Sequence, residues 1–266
     1  MKSIRNTLFI LFVLLGSCLQ ASGQPLSLID SLELALELAP GDDEKIAILN
    51  TLSRELVTRD PDEAGRYARE AYILASKLDD EQGLLNAVVN TGFVEWSKGN
   101  YKEAMEHAMK AKEMAENSDD NKTLARVLHL TGLIYTDLGN FQKGSEYFFR
   151  DLALYKELGD QQGVSRTLNT IGVIHFEQKN YIKALEYFFN SLNLAREIEY
   201  SDGIARGLNN VAIVFEAREE YEKAGEYFRE AVRYNKELGH LKGEGINYLN
   251  LGITSVALAK HDSALH

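Results

Sequence analysis

The chain of 266 residues has one cysteine, Cys18, and three prolines, Pro25, Pro40 and Pro61. A single cysteine excludes an internal disulfide and a cysteine zinc site. Proline breaks helices by removing an N–H and clashing with the preceding turn. The roughly two hundred residues after Pro61 contain none, which points to an all-helical body. Basic residues are also scarce: 29 Lys and Arg stand against 40 Asp and Glu, a formal net charge of −11. Such a chain repels phosphate backbones, so no nucleic-acid partner is expected through these residues. Catalytic signatures are missing too. There is no Gly-x-x-x-x-Gly-Lys loop, no His-Glu-x-x-His and no Gly-x-Ser-x-Gly. No two of the six histidines stand at metal-ligand spacing. No enzyme activity, cofactor or metal is therefore expected of this stretch. A composition 45% hydrophobic and 26% charged leaves a globular protein.

Residues 1–23 read as an address. Lys2 and Arg5 precede the apolar run Leu8–Leu15, and Ala21-Ser22-Gly23 offers a small-residue cleavage site. This is the pattern of a secretory signal peptide, and the run is too short to span a bilayer. An alternative reading takes Leu15-Gly16-Ser17-Cys18 as a lipoprotein box, with Cys18 lipidated. Either reading predicts export, to the periplasm or the cell surface of a bacterium.

The rest repeats every forty residues. Ala64, Ala104, Gly144, Ala184, Ala224 and Ala264 form one column. Three residues earlier stand Pro61, Tyr101, Phe141, Tyr181, Tyr221 and His261, and four residues later Ala68, Ala108, Phe148, Phe188 and Phe228. Twelve earlier stand Leu52, Gly92, Gly132, Gly172, Ala212 and Gly252. Within a unit, apolar residues recur at three- and four-residue spacing in two blocks, as in Val164, Leu168, Ile171 and Ile174, then Ala184, Leu185, Phe188 and Leu192. The spacing predicts first helices over 43–58, 81–98, 121–138, 161–178, 201–218 and 241–258. Second helices are predicted over 61–78, 101–117, 141–158, 181–198 and 221–238. Small residues where the two helices cross allow close approach, and the aromatic fills the adjacent gap. Asn100, Asn140 and Asn180 are placed to cap second helices.

The stretch Leu168-Asn169-Thr170-Ile171-Gly172, then Asn180-Tyr181-Ile182-Lys183-Ala184-Leu185-Glu186-Tyr187-Phe188, resembles the tetratricopeptide repeat in its longer, forty-residue variety. The resemblance covers residues 41–266. It implies an all-α fold: a right-handed α-solenoid of antiparallel helix pairs, with first helices lining the concave face. The units are 41–80, 81–120, 121–160, 161–200, 201–240 and an incomplete 241–266, preceded by a capping helix within 24–40. Residues 261–266 read as the opening of a second helix that stops, so the chain is expected to be a fragment.

One set of columns suggests a ligand. Arg126, Arg166 and Arg206 are forty apart near the starts of three first helices, and three residues on stand His129, Asn169 and Asn209. The resemblance implies that both columns face the groove, with Asn86, Trp96, Phe176 and Asp137 flanking them. Arginine offers planar donors for carboxylates, and asparagine can pair with a peptide amide. The row would hold an extended or acidic segment of a peptide or protein. The other reading is structural: each arginine pairs with a nearby carboxylate, and each asparagine ties adjacent helices together. His175, in a column with Tyr135 and Phe215, reads as a core residue. The aromatic clusters at Tyr147 and Tyr187 read as packing.

The expected function is an exported module binding a peptide or protein in its groove. The alternative is the sensor region of a membrane-anchored signalling protein, whose histidine kinase or DNA-binding output lies beyond residue 266.

Overall fold

A computed structural model describes residues 28–239 and 241–265. The expected signal segment 1–23, with Cys18, lies outside the described residues. Every described element is a helix: α1 (Leu28–Leu38), α2 (Asp42–Leu56), α3 (Pro61–Lys77), α4 (Glu81–Ser97), α5 (Tyr101–Asn117), α6 (Asn121–Asp137), α7 (Phe141–Glu157), α8 (Gln161–Glu177), α9 (Tyr181–Glu197), α10 (Ser201–Ala217), α11 (Tyr221–Glu237) and α12 (Leu241–Leu265). The fold class is an all-α repeat solenoid. The chain forms two compact units that divide within α5, one ending at Ala111 and the other starting at Lys112.

The helix boundaries follow from local chemistry. Asp60, Asp80, Asp120 and Asp160 accept hydrogen bonds from the backbone N–H three residues on, capping α3, α4, α6 and α8. Asn140 and Asn180 do the same for α7 and α9. The helices end in left-handed residues at fixed register. Gly99 and Gly139 have φ of +79° and +78°, and Lys179 and Glu219 take φ of +58° and +63° at the same place in the next two units.

In the first unit, Leu49, Leu52 and Leu56 of α2 pack with Tyr67 and Ala71 of α3 and with Ala87 and Val94 of α4. Ile29, Leu32 and Leu36 of α1 lie against this cluster. Asn90 donates to the carbonyl and side chain of Asn50 at 2.9 and 3.0 Å, and Asn50 donates to the Gly83 carbonyl at 3.1 Å. These buried bonds join α2 to α4.

The second unit stacks successive helix pairs on one pattern. Phe148, Phe188 and Phe228 are fully buried. Each contributes roughly 1.5–3 kcal/mol by leaving water. A β-carbon on Gly132 would lie 2.8 Å from the Phe148 ring, and one on Gly172 would lie 2.6 Å from the Phe188 ring. The glycine is therefore the socket for the aromatic. A second layer repeats with it: Tyr135 stacks on Tyr147, His175 on Tyr187 and Phe215 on Tyr227, with centroids 5.3–5.5 Å apart. His175 is thus one rung of an aromatic stack, and burial lowers its pKa.

The last helix departs from expectation. It runs unbroken to Leu265 instead of ending near 258 and restarting at 261. The reason lies in its turn residues. Gly139-Asn140 and Lys179-Asn180 stop and restart earlier helices, whereas Ala259-Lys260 stands at that register and favours continued helix.

The two environments of the glycine column make a test. Nothing lies within 4 Å of a β-carbon built on Gly252, in contrast to Gly172. Gly172→Ala should destabilise the second unit by about 1–3 kcal/mol through the clash with Phe188. Gly252→Ala should stabilise it slightly, by up to about 1 kcal/mol. Urea unfolding of the two variants checks the opposite signs.

Candidate functional site

Arg126, Arg166 and Arg206 sit one turn into α6, α8 and α10 of the second unit. Arg126 and Arg166 are half-buried and Arg206 is exposed. The structure brings them around a buried polar cluster built by α7. Arg166 Nη2 donates to the Tyr155 hydroxyl at 2.7 Å, and its guanidinium lies 5.3 Å from the centre of the same ring. Tyr155 is buried. Burial raises its pKa, so the hydroxyl stays neutral at physiological pH. Around Arg166, burial opposes the charge, but its surroundings, the carboxylates of Asp151 and Asp160 among them, outweigh it and hold the guanidinium above its ordinary value.

One turn before Tyr155 stands Asp151, which is 0% exposed. Its Oδ2 accepts from Thr167 Oγ1 at 2.8 Å and lies 2.7 Å from His129 Nδ1. Its Oδ1 is buried without a hydrogen-bond partner among the described residues. His129 is 5% exposed and sets its ring edge against Phe148, with centroids 5.2 Å apart. Burial pushes the His129 pKa down. Asp151 opposes the shift, and Arg166 and Arg206 reinforce it.

These placements correct part of the expected groove. His129 is not presented to solvent; it is enclosed between α6 and α7 and tied to Asp151. Asn169 is buried as well, and its Oδ1 accepts from Asn210 Nδ2 at 3.0 Å. That bond ties α8 to α10, as the structural reading expected of an asparagine. Asn209 is half-buried beside it, with its Oδ1 buried and unpartnered. The physical reason is angular. Three residues along a helix turn the side chain by about 60° from the first, enough to move it from the open face onto the neighbouring helix.

The flanking residues do not all join the site. Phe176, in α8, packs on Tyr181 at 5.7 Å. Asp137 is exposed at the end of α6. Asn86 and Trp96 belong to the first unit. There Asn86 donates to the Gln82 carbonyl at 3.0 Å, and Trp96 meets Phe93 edge-on at 6.4 Å. Sequence reasoning missed Asp151 and Tyr155. A signal for Asp151 existed, because its forty-residue column otherwise holds Ala71, Ala111, Ser191 and Ala231.

Among the described residues, no group of three or more His, Cys, Asp and Glu side chains could hold a metal ion. No described helix is long and apolar enough to cross a membrane.

Residues 86–118 and 163–237 match family models described as tetratricopeptide repeat. The chain carries tetratricopeptide repeats. Solved structures with this fold include a Rap protein complexed with Competence and Sporulation Factor, which is 18% identical with a TM-score of 0.60. That match covers 87% of this chain and 70% of the Rap chain. NprR in complex with its cognate peptide NprX is 16% identical with a TM-score of 0.65, over 84% of this chain and 64% of NprR. A putative kinesin light chain from Podosopora anserina with nearly identical TPR-like repeats is 12% identical with a TM-score of 0.51, over 75% of this chain and 99% of that one. No curated protein matches in sequence.

The buried imidazole gives the tetratricopeptide array a pH dependence. Because the folded-state pKa of His129 is lowered, the unfolded chain binds more protons as pH falls below about 6.5. Its contribution to stability is therefore full at neutral pH and is lost on acidification through that range. His129→Asn should flatten the decline in urea midpoint between about pH 7 and pH 5.5 relative to the parent. An unchanged slope would show that His129 titrates as it does in the unfolded chain.

Proposed function

We propose that the protein is an interaction module that binds a peptide or protein segment through the arginine-bearing face of α6, α8 and α10. The observation that carries the reading is Arg166, whose guanidinium donates to the buried Tyr155 hydroxyl, in one forty-residue column with the exposed Arg206 of a strongly acidic chain. A local basic patch on such a background attracts carboxylates and discriminates against cationic segments. The ligand chemistry is an acidic or extended segment. The two solved relatives named with bound factors support this use of the fold, without fixing what this chain binds. The amino-terminal segment, with its cationic start and apolar run, supports an exported setting. The sensory alternative employs the same face and adds an output coupled to its occupancy.

Arg206 is the decisive position, because it is exposed and its replacement leaves the Tyr155 contact intact. Fluorescence anisotropy with a fluorescein-labelled Gly-Ser peptide carrying four glutamates should show binding that Arg206→Glu weakens at least tenfold. Helical circular dichroism should stay unchanged. Equal binding by the variant, or equal binding of a four-lysine peptide, would contradict the reading.

A further inference from the structure

Helix α12 has two unlike sides. On one, Asn247 and Thr254 are buried, Thr254 donates to Glu216 at 3.0 Å, and Leu251 packs against the cluster that holds Phe215 and Phe228. That side docks α12 onto α10 and α11. On the other, Ile246, Tyr248, Leu249, Ile253 and Val256 are exposed, and a β-carbon on Gly245 or Gly252 would meet nothing within 4 Å. Residues 245, 248, 249, 252 and 256 follow three- and four-residue spacing, so they share one stripe. Between Glu244 and Lys260 no side chain is Asp, Glu, Lys or Arg. A contiguous apolar surface of this kind marks a contact site.

The array itself shows how such a stripe is filled. In the antiparallel pair α6 and α7, Gly132 receives the Phe148 ring. Thr136, four residues after that glycine, meets Gly144, four residues before that ring. Two positions four apart on one helix thus face two positions four apart on the other, in reverse order. Gly252 stands at the register of Gly132 and Gly172, and its socket is open. Tyr248 stands four residues before it on the same stripe and is 52% exposed. A ring and a socket so spaced on one face are complementary to themselves. When an identical helix lies antiparallel across the stripe, each Tyr248 enters the socket at Gly252 of the other copy, and a two-fold axis makes both contacts at once. Charge points to the same surface. Two copies of a chain of net charge −11 repel one another, and this stripe lets them approach without opposing ionised side chains.

We propose that the open face of α12 is a dimerisation surface whose occupant is a second copy of this chain, held by reciprocal insertion of Tyr248 at Gly252. One helix face is smaller than the interface of a permanent dimer, so the association is weak and reversible. It does not depend on the arginine face.

Sedimentation velocity of the full chain over a concentration series tests this. The parent should pass reversibly from monomer to dimer, and added salt should favour the dimer by screening the net repulsion. Gly252→Leu fills the socket while making the stripe more apolar, and Tyr248→Ala removes the ring. Each should weaken the dimer at least about tenfold with helical circular dichroism unchanged. Gly252 is open to solvent, so the leucine variant meets no clash within its own fold. Association of Gly252→Leu as tight as that of the parent would mark unspecific apolar adhesion and overturn the proposal. A parent that stays monomeric overturns it as well. If that monomer binds a synthetic Tyr181–Glu197 helix, and Gly252→Leu does not, the socket takes a second-helix segment and not a second copy.

Discussion

The close crossing of first and second helix, with a small residue receiving an aromatic ring, is the contact on which the repeats depend. In the second unit Phe148 enters the socket at Gly132 and Phe188 the socket at Gly172, and no room remains for even one methyl group. Because the socket and the ring stand at fixed register in a forty-residue period, the same contact recurs in these two successive pairs. This regularity places Arg126, Arg166 and Arg206 at equivalent points on three successive first helices. The arginine face is thus a consequence of core packing that lies some turns away from it.

Polar groups in this solenoid divide between ties and ligands. Asn50 and Asn90 in one unit, and Asn169 and Asn210 in the other, satisfy one another across adjacent first helices. Such bonds contribute modestly to stability but are costly to break once buried. The Asp151 cluster differs in kind. It places a carboxylate, an imidazole and a phenol in the interior, and the phenol accepts from the guanidinium of half-buried Arg166. Its carboxylate, bonded to an imidazole of α6 and a hydroxyl of α8, stands where alanine or serine fills the seam in the other units.

Much of the fold was legible because the period never slips. Glycine, alanine and aromatic columns repeat without insertion, so the helices from α2 to α11 follow to within a residue or two, and only α12 overruns its expected end. The turns were less legible. Lys179, Glu199 and Glu219 take left-handed conformations that glycine takes elsewhere, because the surrounding register imposes the turn whatever the residue. Of the site, the forty-residue spacing of the arginine column could be read directly, but not that Arg166 is half-buried and donates to Tyr155 while Arg206 is exposed. The neighbouring column could not. His129 and Asn169 share the spacing of Arg126 and Arg166 but turn onto adjacent helices, and only the packed structure tells the two directions apart. Asp151 was visible as an exception within its own column, yet its partners on α6 and α8 are contacts that no linear pattern reveals.

The central claim is that Arg166 and Arg206 together form the anion-contacting face. The most direct measurement follows the side-chain Nε–H signals of the arginines by nuclear magnetic resonance during titration with the four-glutamate peptide. The account predicts saturable shifts at Arg166 and Arg206 with a common dissociation constant, and none at Arg229 on the exposed side of α11. Uniform small shifts at all arginines, or saturation only at positions outside α6, α8 and α10, would contradict it.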